Sequence, residues 1–419
     1  MTAADIHRTI DAIWRIESAR LIGGLARMVR DVGLAEELAQ DALVVALERW
    51  PADGVPDKPG AWLMATAKRR AIDRFRRDRM LARKHAELGR ELEVEQEKPP
   101  DFETALDDDI GDDVLRLMFT ACHPVLSTGA RVALTLRMLG GLTTDEIARA
   151  FLVAESTVAQ RIVRAKRTLS AARVAFEVPR GDDRAGRLSS VLEVLYLIFN
   201  EGYAATAGDD WMRPQLCEEA MRLGRILAGL APGEGEVHGL VALMEIQASR
   251  FGARTDPSGE AILLLEQDRS RWDRLLIRRA RAGLERAEAI DGQRGPFTLQ
   301  AAIAACHARA STADATDWVK IAALYEALAQ VMPSPVVELN RAVAVGFAFG
   351  PEAGLALADR LEDAPSLKAY HLLPAVRGDL LEKLGRLGEA GDAFERAASL
   401  TRNAREQALL RERAAACRR

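Results

Sequence analysis

The chain has 419 residues, with 58 Lys and Arg against 62 Asp and Glu, a net charge of −4, 48% apolar residues and 29% charged residues. This globular balance excludes wholesale disorder, and the length suits two to four domains. The slight acidity excludes a protein that coats nucleic acid over its whole surface. It leaves local binding open, because salt screens charge beyond roughly 10 Å at about 0.1 M. Aromatic residues make up 5% of the chain, and Ala, Leu, Arg and Glu dominate, which favours helix over strand. Cys122, Cys217, Cys306 and Cys417 are widely separated and have no metal-like spacing, as suits a reducing cytoplasm. No run approaches the roughly 18 apolar residues of a membrane span, and the opening MTAADIHRTIDAIW has no apolar signal core. The expectation is an all-α, soluble, cytoplasmic protein with no membrane partner.

Residues 5–84 read as helices with one break at PADGVPDKPG, Pro51–Gly60, a stretch whose Pro and Gly content argues against helix. The next segment, AWLMATAKRRAIDRFRRDRM, is amphipathic. Leu63 (or Met64), Ala67, Ala71 and Phe75 form its apolar stripe, while Arg70, Arg74 and Arg77 share another face with Lys68, Arg69 and Arg76 beside them. Nine Lys and Arg fall between Lys68 and Lys84 against only Asp73 and Asp78, so bridges such as Arg69–Asp73–Arg77 satisfy only part of the charge. A basic helix alone is more often a solvated face than a nucleic-acid site. The Pro/Gly loop before it shifts the balance, since such a loop suits an extruded base while the basic face neutralises phosphates. Residues 85–111 reverse the charge. From His85 to Asp113 there are twelve Asp and Glu against Arg90 and Lys98, the composition of a connector.

Residues 112–177 are helical again. Thr143-x-x-Glu146 is a capping box that opens a helix with Ile147, Ala148 and Phe151 on its inner face. After a turn at Leu152–Ala154, a second helix carries a buried stripe of Val158, Ile162, Ala165 and Leu169. Ser156, Thr157, Gln160, Arg161 and Arg164 lie opposite it. This is the layout of a helix-turn-helix whose second helix enters a major groove, where Arg and Gln read base edges. An ordinary helical hairpin with a solvated basic face stays open as the alternative, because Leu152 stands where glycine is common and Ala154 where a capping Ser or Asn is preferred.

VPRGDDRAGR, Val178–Arg187, is the next linker, and all that follows reads as helix and short turn. Residues 188–290 form a helical extension domain and residues 291–419 a degenerate helical-repeat region. There, GPEAGLALADRL and LGEAGDAFERAA align at an offset of 37 residues. The second copy carries Ala390, Phe394 and Ala397 in the small-large-small spacing of a tetratricopeptide-like hairpin. Asn200, Glu201 and Tyr203 admit a ligand site but more simply cap a helix. His123 beside Cys122 and His307 beside Cys306 have no second pair at metal-ligand spacing and read as core. No phosphate-cradling loop or nucleophile signature is present, so no catalytic residue, metal or cofactor is expected, and the chain is not expected to be an enzyme.

The ordered set of LAEELAQDALVVALERW, PGAWLMATAKRRAIDRFRR, an acidic linker and STVAQRIVRAKRTL resembles the sigma-70 family of transcription initiation factors, in its compact extracytoplasmic-function (ECF) type. The resemblance spans roughly residues 10–177. EVLYLIFNEGYAATAG, QAAIAACHARA and PSPVVELNRAVAV look like a subgroup with a tetratricopeptide-like extension. It implies that Glu37, Gln40 and Asp41 contact the polymerase clamp. The Pro51–Gly60 loop and the helix after it, with Trp62, Lys68, Arg69, Arg70, Arg74, Arg76 and Arg77, would hold the minus-ten promoter element. Ser156, Thr157, Gln160, Arg161 and Arg164 would read the minus-thirty-five element. The implied partners are core RNA polymerase and promoter DNA, with a regulatory protein or an intramolecular contact for the extension. A conventional helix-turn-helix regulator that is not a polymerase subunit is the alternative reading.

Overall fold

The computed structural model describes residues 3–88, 110–151, 153–203, 212–256, 262–291, 294–401 and 404–418. Among these residues every extended regular element is a helix. Residues 89–109, most of the acidic connector, lie outside the described set. The chain divides into two compact units, Met1–Leu197 and Ile198–Arg419.

The first unit contains α1 (Ala3–Val29), α2 (Val32–Asp53), α3 (Pro59–Leu88), α4 (Ile110–Ala121), α5 (Thr128–Met138), α6 (Thr144–Phe151), α7 (Glu155–Ala171) and the first part of α8 (Asp182–Tyr203). α1 turns sharply into α2. Arg30 adopts φ 54°, and Asp31 caps α2 by accepting from the Leu34 amide at 2.8 Å. Long α1 packs on α2, α3 and α4, burying Ile10, Ile22 and Leu25 with Leu63 and Trp50. α1 and α4 cross closely at Gly23, where an added Cβ would stand 2.9 Å from the Asp113 carbonyl oxygen. α5 and α7 pack around Leu134, Leu136, Ile162 and Leu169.

The break expected over Pro51–Gly60 is shorter than its composition suggested. α2 runs to Asp53 and α3 starts at Pro59, leaving Gly54–Lys58 between them. Pro51 lies within the last turn of α2, with only Ala52 and Asp53 of the helix after it, and Pro59 opens α3, where its missing N–H has no intrahelical use. The stop comes from Gly54, at φ 85°, whose amide closes on the Trp50 carbonyl at 3.0 Å.

The second unit begins with the end of α8 and continues with α9 (Pro214–Leu230), α10 (Gly235–Ala248), α11 (Arg274–Asp291), α12 (Pro296–Arg309), α13 (Trp318–Val331), α14 (Pro335–Phe349), α15 (Pro351–Asp359), α16 (Leu372–Lys383), α17 (Leu387–Leu400) and α18 (Ala404–Cys417). Short 3-10 turns at Phe251–Ala253 and Arg269–Arg271 connect α10 to α11. From α9 onward, neighbours in sequence pack on one another, and α10 also packs on α12. Glu236 ties these two together by accepting from the Phe297 and Thr298 amides at 2.8 and 2.9 Å at the start of α12. The two copies found at the 37-residue offset cover α15 and most of α17. Ala390, Phe394 and Ala397 are fully buried.

His307 in α12 meets the Trp318 ring edge-on at 5.2 Å, and its Nδ1 is buried without a partner among the described residues. Burial, followed by the charges of Arg250 and Arg269, pushes its imidazole down to about 4. Because the folded value lies below the ordinary 6.5, neutral His307 supports the fold above pH 6.5, and that support is lost as pH falls towards 4. His307→Gln should therefore flatten the decline of thermal stability between pH 6.5 and 4 relative to the parent, as measured by calorimetry across that range.

Candidate polymerase and promoter interface

The α6–α7 pair is built by a reciprocal capping box. The Thr143 amide donates to Glu146 Oε2 at 2.8 Å, and the Glu146 amide donates back to Thr143 Oγ1 at 3.1 Å. Ala154 supplies no side-chain cap to α7. In its place the Thr144 hydroxyl donates to Glu155 Oε1 at 2.9 Å, joining the first turns of the two helices. Val158, Ile162, Ala165 and Leu169 are all buried, which turns Ser156, Gln160, Arg161 and Arg164 to solvent with Thr157 half-buried beside them. Among the described residues neither Arg161 nor Arg164 forms an ion pair.

On α3, Leu63, Ala67 and Ala71 are buried and Phe75 is half-buried, so the predicted stripe packs inward. Trp62 is half-buried, set edge-on to the buried Trp50 at 5.3 Å, beside the Gly54–Lys58 break. Arg69, Arg70, Arg74, Arg76 and Arg77 are exposed. Lys68 is half-buried, and burial, then the neighbouring Arg27, lowers its ammonium pKa. Arg77 donates to the Asp73 carbonyl oxygen at 3.3 Å, so the expected bridge to the Asp73 carboxylate is replaced by a backbone contact.

α2 faces α3 with the opposite charge. Arg70 lies 3.3 Å from Asp41, and Arg74 lies 3.1 Å from Glu37. Two of the residues expected on the polymerase side therefore pair with two expected on the DNA side. These pairs are exposed at both ends, so each stabilises by less than about 1 kcal/mol and is easily exchanged. Gln40, half-buried, donates to Glu36.

Glu36 itself was not visible as a functional residue. It is 3% exposed on α2, takes Arg137 Nε of α5 at 2.9 Å on one carboxylate oxygen, and takes Lys166 of α7 on the other. A second joint connects Arg15 of α1 to the capping Glu146 at 2.7 Å, and a third connects Arg27 to the buried Asp113 at 3.1 Å. Residues 5–84 and 112–177 are thus bolted together by ion pairs whose members lie about a hundred residues apart in sequence. Glu36 was hidden because its partners are distant, and a Glu beside another Glu on a helix reads as surface.

The remaining candidates are accounted for locally. His123 Nδ1 accepts from the Val125 amide at 3.1 Å within a turn. Burial raises the Cys122 thiol pKa to about 11, with its sulfur 3.3 Å from Thr135 Oγ1. All four cysteines are buried and free. Among the described residues no group of three or more His, Cys, Asp or Glu is placed to hold a metal ion, and no helix is long and apolar enough to cross a membrane.

Comparison with known proteins assigns these helices to a class. The Sigma-70 region 2 family matches residues 15–80, and the Sigma-70 region 4 family matches residues 116–169. A family of unknown function, DUF6596, matches residues 187–288. An ECF RNA polymerase sigma factor, SigK of Mycobacterium ulcerans, is 30% identical over 155 residues, covering 36% of this chain and 78% of that protein. The chain therefore belongs to the ECF sigma factors of the sigma-70 family, a family of transcription initiation factors and not an enzyme class. Sigma-70 domains take core RNA polymerase and promoter DNA as partners. A probable ECF RNA polymerase sigma factor, SigI of Mycobacterium tuberculosis, is 28% identical over 212 residues, covering 45% of this chain and 68% of that protein. An uncharacterized protein of Rhizobium meliloti is 44% identical over 396 residues, 93% of this chain and 91% of its own, so the relationship extends through the C-terminal unit. No solved structure matches.

Removing the Glu36 charge leaves Arg137 and Lys166 facing each other without a counterion. Glu36→Gln should lower unfolding stability by about 3 kcal/mol. Glu37→Gln, which loses only an exposed pair, should cost less than about 1 kcal/mol. Urea denaturation of the two full-length variants against the parent checks both.

Proposed function

We propose that this protein directs core RNA polymerase to specific promoters in the cytoplasm, using residues 5–84 as sigma domain 2 and residues 112–177 as sigma domain 4. Residues 85–111 act as the acidic connector, and the C-terminal helices act as a regulatory, protein-binding extension. The observation that carries this reading is the order of the two family matches combined with the two exposed arginine faces, on α3 and α7. Ser156, Thr157, Gln160, Arg161 and Arg164 read the minus-thirty-five duplex. Trp62, beside the Gly54–Lys58 break, serves a flipped minus-ten base, while Lys68, Arg69, Arg70, Arg74, Arg76 and Arg77 hold phosphates of the opened strand. Glu37, Gln40 and Asp41 meet the clamp.

The ion pairs give this reading a sequence of events. Promoter elements centred near minus ten and minus thirty-five are separated by about 25 base pairs, about 85 Å at 3.4 Å per step. Domains joined through Glu36, Arg137 and Lys166 do not reach both elements, so the joint opens when polymerase is engaged. Clamp residues that compete for Glu37 and Asp41 release Arg74 and Arg70 towards DNA, which couples polymerase binding to promoter binding.

The extension consists of helical hairpins, and we assign residues 188–290 to an extension domain and 291–419 to tetratricopeptide-like repeats. Support comes from the buried Ala390, Phe394 and Ala397 and from exposed apolar residues such as Val319, Val331 and Phe349, which suit a protein-binding solenoid.

The deciding experiment is promoter-dependent transcription with core polymerase, comparing the full chain with residues 1–203. The cut retains α8, because Arg187 bonds the Phe119 carbonyl at 3.0 Å and Ser190 bonds the Cys122 carbonyl at 2.6 Å. Initiation from the same sequences by both supports the reading, and the ratio of rates gives the sign of the extension's effect. DNA binding without polymerase, and no initiation by either, replaces the reading with a conventional regulator. Within an active holoenzyme, Arg161→Ala should weaken duplex recognition by about 1–3 kcal/mol and change base preference. Arg76→Ala should weaken binding evenly across sequences and make its salt dependence shallower. Binding titrations over a promoter library at several salt concentrations distinguish the two.

A further inference from the structure

The interior of the C-terminal unit holds a cluster that the sigma reading leaves unused. Tyr203, in the last turn of α8, accepts a hydrogen bond from Arg250 Nη2 at 2.5 Å on its hydroxyl. Its ring lies 3.7 Å from the guanidinium carbon of Arg254, whose Nη1 donates to the Tyr203 carbonyl. The Trp272 ring lies 5.9 Å from the Arg250 guanidinium and 5.3 Å from that of Arg269. Three guanidiniums thus share two aromatic rings. Arg250 and Arg269 are 8% and 6% exposed, and no carboxylate among the described residues pairs with any of the three.

Packing explains part of this arrangement. Arg269 staples the chain by donating to the His307 and Ala310 carbonyls, each at 2.8 Å, and to the Thr316 hydroxyl at 3.1 Å. Arg254 is likewise held by Tyr203. These contacts satisfy donors but bring no negative charge. Burial lowers the pKa values of Arg254 and Arg269, and the charge of Arg250 lowers both further. Elsewhere in the same unit buried charge is balanced: Glu245, 3% exposed, takes Arg225 at 2.8 Å. Donors also remain unused. Arg250 Nε and Trp272 Nε1 are both buried with no acceptor among the described residues, and Trp272 is 3% exposed. Tyr203 and Arg254, at the rim of the cluster, are only half-buried.

We propose that Arg250, Arg254, Arg269 and Trp272 form a binding site for the phosphate group of a small molecule. Arg250 Nε and the Trp272 indole N–H donate to its oxygens, while Arg254 and Arg269 supply field. A phosphate dianion offsets most of a triple positive charge, and the planar guanidinium fork matches its oxygens. The phosphate is free or part of an ester, and the two sources present the same oxygens to these donors. The site is independent of the promoter-binding reading, and its test requires no polymerase.

The test is an NMR titration of the full-length chain labelled with nitrogen-15 at its six tryptophans. Trp272→Phe, which keeps an aromatic ring and removes the N–H, assigns the Trp272 indole signal. Inorganic phosphate, added at constant ionic strength against chloride, should move that signal saturably with a dissociation constant of about 1 mM or tighter. Adenosine monophosphate is the second probe, and tighter binding than inorganic phosphate identifies an ester as the ligand. Arg250→Gln should weaken binding at least about tenfold. Arg254→Gln, at the half-buried rim, should weaken it likewise and serves if the buried substitution unfolds the unit. Absence of a saturable shift with both probes, or equal affinity in the folded arginine variants, overturns the site.

Discussion

The first unit depends on one buried carboxylate. Glu36 is withdrawn from water on α2, and a charge so placed is tolerated only with cations in contact. Arg137 and Lys166 supply them from α5 and α7, so the same interaction that makes Glu36 acceptable fixes α5 and α7 against α2. Hydrophobic packing between α1 and α4 holds the two halves together. It is less particular about alignment, since apolar contacts tolerate sliding and repacking. The close crossing at Gly23 and the three ionic joints set the register.

Seen from this joint, the distribution of charge is a matter of sharing. The basic face of α3 stands against the acidic side of α2, and the pairs Arg70–Asp41 and Arg74–Glu37 are weak, exposed and reversible. Buried Glu36 is the opposite case: withdrawn from water and less screened by salt. A sigma factor needs both kinds of contact.

Periodicity made much of this legible, because it is a local property. The stripe at Val158, Ile162, Ala165 and Leu169 and the Thr143–Glu146 box each follow from residues within a few turns, and the structure has both. Proline misled at Pro51, because α2 continues through it to Asp53 and is stopped by Gly54. Glu36 was illegible for the converse reason: nothing within ten residues neutralises it, and its partners are set by tertiary packing. Arg250, Arg254 and Arg269 were hidden in the same way, since arginines in a helical protein read as solvated until their burial is known.

The two units handle buried charge by opposite means. In the first, an acidic centre recruits cations from distant helices, and the result is a joint between domains. In the second, cations collect around Tyr203 and Trp272, and no carboxylate among the described residues pairs with them. Aromatic faces offer only part of what a carboxylate would, because the ring quadrupole attracts a cation far less than a full negative charge does. Arg269 has a structural reason to be there, since two carbonyls and a hydroxyl depend on it. Arg250 has a weaker one: a hydroxyl and two ring faces, with its Nε left unbonded. A neutral residue of similar size would fill that space without repelling Arg254 and Arg269. Its charge is best understood as directed at something that enters the cluster from outside.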